Sequence, residues 1–158
     1  MNHRLAMQRL RQLCLLLALL YSNTGHATPS QGIVVIVASG SPANTLSIEK
    51  LALIYRRKKN FWENGQRIQP VNLPASHPLR RAFSMQVFNH TPEDMDDYWR
   101  DMYFHGVLPP FVLGSEEAVI RLVASTPGAI GYISHCTVDH RVSVLLILDG
   151  GPQCPHAN

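Results

Sequence analysis

"STPGAIGYIS", residues 125–134, joins a Pro-Gly pair to a short apolar run with a glycine inside it. Proline lacks the amide that a continuing helix needs, and glycine takes the left-handed conformation that closes one, so Pro127-Gly128 marks a helix end. Upstream, Ser115-Glu116-Glu117 followed by Val119, Leu122 and Val123 reads as that helix, with a hydroxyl cap and acids in its first turn. Downstream, residues 129–134 are apolar or small without polar alternation, which predicts a strand covered on both faces. Gly131 would weaken such a strand unless something must come close to its backbone.

The same pattern extends to both sides. "GIVVIVAS" (32–39) is a β-branched run bounded by glycine, and it predicts a buried strand. Ser47 can cap a helix whose Ile48, Leu51, Ile54 and Tyr55 share a face, with Glu49 in its first turn and Arg56, Arg57, Lys58 and Lys59 at its end. "RIQPVNL" (67–73) predicts a second strand, with Pro70 pointing to an edge or a bulge. Pro78 suits the first turn of a helix with Leu79, Ala82, Phe83 and Val87 inward. Thr91-Pro92-Glu93-Asp94 opens another, carrying Met95, Tyr98, Trp99 and Met102, which Gly106 and Pro109-Pro110 end. "VSVLLIL" (142–148) is a last strand. Apolar strands separated by amphipathic helices predict an α/β fold, a mostly parallel central sheet flanked by helices.

The N-terminus differs in kind. Arg4, Arg9 and Arg11 precede the apolar run LCLLLALL (13–20), and Gly25-His26-Ala27 follows, so residues 1–27 read as a secretory signal cut after Ala27. That run is too short to span a bilayer as a helix. Residues 28–158 are then one domain without stable membrane insertion, expected in the periplasm. Three of the 14 Lys and Arg and none of the 11 Asp and Glu leave with the signal, so the mature chain is formally neutral. Its overall charge gives no steering toward nucleic acid, and any preference for anions has to be local.

Cys136 and Cys154 survive processing, and an oxidising compartment favours a disulfide between them. Free thiols are a second reading. A metal site drawing on His135, Cys136, His140, Cys154 and His156 is a third, although the spacing fits no known finger pattern.

Four segments together, "SPANTLSIEKLALIYRRKKNFWENGQRIQPVNLP" (41–74), the Arg- and Phe-bearing helix start after it, "YWRDMYFHGVLPP" (98–110) and "STPGAIGY" (125–132), resemble the small exported proteins similar to the substrate-binding component of phosphate ABC importers, in the type 2 periplasmic binding protein superfamily. The resemblance covers roughly residues 33–134. It implies one lobe of such a protein, binding phosphate or a similar oxyanion without catalysis and without a cofactor. It further implies an accessory or sensor-like role, with a membrane transporter or receptor as partner. The full-length relatives enclose their anion between two lobes, and this chain has material for about one. The alternative is an interaction module that kept the lobe and docks on a receptor or another exported protein.

The larger relatives hold the anion with a Ser-Gly-Thr-like turn before a helix, and the matching stretch is "LPASHPLRRAF" (73–83), with Ser76 and His77 in the turn. Unpaired amides and the dipole at a helix N-terminus favour an anion there. His77 stands where related small domains carry serine; it is either a ligand, stronger in mild acid because imidazolium donates two hydrogen bonds, or a helix cap. Arg80 and Arg81 sit in the first turn, where a cation is disfavoured unless an anion is bound. Arg80 is read as an anion ligand or as a side chain that is solvated or paired with an acid, and Arg81 as solvated or paired with an acid. Ser39 and Ser41, with Asn44, follow the first strand, at the sheet end where ligands of α/β folds gather. Trp62 and Trp99 read as packing. The sequence carries no nucleophile elbow, Walker loop or H-E-x-x-H pattern, which argues against an enzyme.

Overall fold

The computed structural model describes residues 32–43 and 45–149. The signal segment, Asn44, Cys154 and His156 lie outside the described residues, as does the proposed cleavage point.

Among the described residues five strands and four α-helices follow one another: β1 (Ile33–Ala38), α1 (Ile48–Tyr55), β2 (Gln69–Asn72), α2 (Pro78–Phe88), α3 (Asp96–Phe104), β3 (Phe111–Val112), α4 (Glu116–Ser125), β4 (Ala129–Ser134) and β5 (Val142–Leu148). The expected caps form. Ser47 Oγ accepts the Lys50 amide and Ser115 Oγ accepts the Ala118 amide. The third helix begins as a 3-10 turn at Glu93–Met95 before α3. Thr91 Oγ1 and the Asp94 carboxylate exchange hydrogen bonds with each other's amides ahead of it.

The sheet order is β3-β2-β4-β1-β5. β2 pairs in parallel with β3 and β4, whereas β1 is antiparallel to both β4 and β5. Four strands therefore run one way and β1 alone runs against them. Its reversal has a consequence for the ligand ends: Ile33 lies opposite Ser134 and Ile36 opposite Gly131, so β1 finishes where β4 and β2 begin.

Pro70 is tolerated in an interior strand for a local reason. Gln69 donates its amide to Gly128 O on the β4 side, so the next residue's amide position faces the β3 side. β3 reaches only Val71 and Asn72, and the missing N–H costs no ladder bond. Gly131 is explained by packing rather than by a ligand. A Cβ there would lie 2.5 Å from Val119 Cγ1 and 3.1 Å from Val123 Cγ2, both on α4. The glycine lets α4 sit directly on β4. Gly128 has φ +81°, the left-handed turn that ends the helix segment. Its carbonyl also accepts Trp62 Nε1 at 3.2 Å, which fixes that ring as packing.

The core runs through Ile33–Val37, Leu51, Ile54, Leu79, Phe83, Val119, Val123, Ile130 and Ile133. At its centre Phe83 stacks on Tyr132 with centroids 3.9 Å apart and planes 8° from parallel, and Tyr55 tilts against both rings. Among the described residues no helix is long and apolar enough to cross a membrane.

Candidate functional site

The site begins where β2 leaves the sheet. Leu73 and Pro74 lead into a turn at Ala75–Ser76, His77 closes it with its amide on Pro74 O, and α2 starts at Pro78. Proline at the first helical position gives up an amide that has no helical partner in any case. His77 Nδ1 accepts the Leu79 amide at 3.2 Å, so the neutral ring carries its proton on Nε2 and caps the helix. Of the two sequence readings, the cap is the one this geometry contains. Ser76 is exposed at the turn's tip. Among the described residues neither the Ser76 nor the Arg80 amide has a hydrogen-bond acceptor.

Arg80, in the first turn of α2, is only 8% exposed. Its Nη1 donates to Oδ1 of Asn72, itself 4% exposed at the end of β2. The same Asn72 oxygen accepts the Tyr132 hydroxyl at 3.3 Å, and that hydroxyl accepts the Leu73 amide at 3.2 Å. Burial raises the Tyr132 pKa while the Arg80 charge opposes the rise, so the phenol stays neutral and keeps its proton for Asn72. Tyr55, fully buried, is also pushed up by desolvation, and its hydroxyl donates to Val71 O at 3.1 Å.

The electrostatics are asymmetric. Among the described residues no carboxylate forms an ion pair with Arg80; its partners are a carboxamide and, through it, a phenol. A guanidinium withdrawn from water without an opposite charge is costly, and a bound anion removes that cost. Arg81, one residue on, turns outward and bridges Glu93 at 2.7 Å, as expected of a residue outside the site.

Ser39 and Ser41 do not join this group. Because β1 runs against the other strands, both lie at the opposite end of the sheet, where the Ser39 amide bonds Arg141 O and Ser41 Oγ accepts the Ala43 amide. Two cavities open there, of about 320 and 230 Å³, sharing Ser41, Pro42 and Gln66, and neither touches the His77–Arg80 turn. A single site holding Ser39, Ser41, Ser76, His77 and Arg80 is thus ruled out by strand direction. Asn72 and Tyr132 went unread in the sequence. The one signal was a polar residue ending a buried strand at Asn72.

Cys136 is half-buried in a 3-10 turn after β4, its amide held by Ser134 Oγ. Among the described residues no three His, Cys, Asp or Glu side chains gather closely enough to hold a metal.

No family model and no curated protein matches the chain. Solved structures do. A substrate-binding protein ascribed to a phosphate ABC transporter of Clostridium perfringens, with bound phosphate, superposes with a TM-score of 0.62 at 23% identity over 74% of this chain and 45% of its own. An ABC-type phosphate transport receptor from Vibrio cholerae gives 0.62 at 24%, over 79% and 52%. PstS from Borrelia burgdorferi gives 0.54 at 18%, over 74% and 47%. The fold is that of the phosphate-transport binding proteins. The chain spans about half the length of these structures. The first is named as a substrate-binding protein and the second as a transport receptor, and the mixed sheet with its helical cover is the architecture this chain shares with them.

Proposed function

We propose that this chain binds a small oxyanion, phosphate first, at the start of α2, and that it holds the anion without transforming it. The observation that carries the reading is Arg80, a buried cation whose hydrogen-bond partner is neutral and which no described carboxylate approaches. An oxyanion at the turn would meet the free Ser76 and Arg80 amides, the Ser76 hydroxyl and the positive end of the α2 dipole, and it would supply the charge that Arg80 lacks. The names of the similar structures support phosphate as the first ligand to test.

The reading extends to an exported, periplasmic protein with an accessory or sensor-like role beside a membrane transporter or receptor, its C-terminal tail tied by a Cys136–Cys154 disulfide. A free-thiol titration of residues 28–158 under denaturing conditions tests the disulfide; two reactive thiols would refute it.

Isothermal titration of residues 28–158 with phosphate tests the binding itself. Saturable binding is expected, lost in Arg80→Ala and retained in Arg81→Ala. Equal binding by both variants would refute the site, and no heat or thermal shift at millimolar phosphate would refute the function.

A further inference from the structure

Five large apolar side chains within residues 103–112 are exposed, and anion binding leaves them unexplained. Between α3 and β3, Tyr103, Phe104, Leu108, Phe111 and Val112 are 65, 80, 62, 67 and 53% exposed. α3 contains no buried residue; its Tyr98 and Trp99 are half-buried against each other, and its last turn turns two rings to solvent. A fully exposed aromatic side chain presents roughly 200 Å². At those exposures the five residues together offer on the order of 600 Å² of apolar surface. Stable protein pairs bury about 800 Å² on each partner, and weaker ones about 600 Å².

We propose that this surface joins two copies of the chain in a two-fold dimer. None of the five side chains is charged, so a copy of the same patch covers it without desolvating an ion, as an isologous interface requires. Among the described residues β3 is the outermost strand of the sheet, so its outer edge can meet the β3 of a second copy. The opposite edge is managed differently: β5 carries a bulge against Val35 and Ile36 that distorts its pairing. The dimer seam lies beside the anion turn, since Leu113 donates its amide to Asn72 O. The proposal does not depend on an anion being bound.

Sedimentation velocity of residues 28–158 over a concentration series reaching ~200 µM tests it. A reversible monomer–dimer equilibrium is expected for the wild type. Phe104→Ser combined with Phe111→Ser should weaken it at least tenfold, with circular dichroism and thermal midpoint unchanged because both rings are exposed. Ile147→Ser, on the β5 edge, should leave it intact. A wild type that stays monomeric at the highest concentration overturns the proposal. So does a dimer that survives the double substitution, or one that Ile147→Ser dissolves. Co-sedimentation of a monomeric wild type with anionic vesicles would assign the patch to a membrane instead and equally overturn it.

Discussion

Arg80 and Arg141 make a useful pair. Arg141 is half-buried and over-supplied with acids: its guanidinium meets both Glu117 oxygens at 2.9 and 2.8 Å and Asp139 at 2.6 Å. Those contacts raise the Arg141 pKa further and hold the Asp139 carboxyl down to about 2. Arg80 is more deeply buried, and among the described residues it meets neutral groups, the Asn72 carboxamide and the Tyr132 phenol, and no carboxylate within ion-pair distance. Arg141 carries its own counter-charge, whereas Arg80 has none among the described residues, and the proposed anion would supply it.

The strongest disturbance of the comparison is Gly131→Val, because β4 carries Tyr132 toward Arg80 and Ser134 toward Glu116, next to the Arg141 cluster. Its side chain would collide with Val119, and urea denaturation should register a loss of about 3 kcal/mol, the upper range for overpacking. Tyr132→Phe acts at the Arg80 end alone. It strips the Leu73 amide of its acceptor and Asn72 of a donor, and about 1–3 kcal/mol should be lost in the same assay, with phosphate affinity falling as Asn72 loosens. Ser84→Ala sharpens the contrast in the opposite direction. Its hydroxyl is buried one turn beyond Arg80 with no partner among the described residues, so removing it should stabilise by about 1 kcal/mol.

The smallest effect belongs to Arg141→Met and shows only in acid. The Asp139 carboxyl is depressed in the folded protein, so its contribution is complete above the unfolded value of about 3.9 and disappears as the pH falls toward about 2. Arg141→Met should flatten that limb of the stability curve and leave neutral-pH phosphate binding unchanged. A variant that binds phosphate less well would join the two regions that the comparison separates.

Most elements were legible because their ends are written in short-range chemistry: Ser47 and Ser115 as caps, Pro78 as a first helical residue, Pro127-Gly128 as a stop. β3 was not, since two exposed residues after Pro109-Pro110 carry no periodicity and become a strand only by lying beside Val71 and Asn72. The direction of β1 was equally hidden. A buried strand reads alike from either end, and the grouping of Ser39 and Ser41 with the anion turn failed on that point. For Gly131 the sequence indicated a close approach without its source, because Val119 meets it only once α4 has folded back onto β4. At the candidate site, the helix start around Ser76, His77 and Arg80 is local chemistry that the sequence displays, whereas Tyr132 reaches Asn72 across 60 residues of chain.

The central claim is tested most directly by denaturing the wild type and Arg80→Met with and without phosphate. Without phosphate, Arg80→Met should be as stable as the wild type or more so, since a buried charge gives way to an apolar chain of similar length. At one hundred times the dissociation constant, phosphate should stabilise the wild type by about 2.7 kcal/mol and leave Arg80→Met unmoved. A variant that is less stable without phosphate and gains as much from it as the wild type would show that Arg80 serves the scaffold, and the account would be wrong.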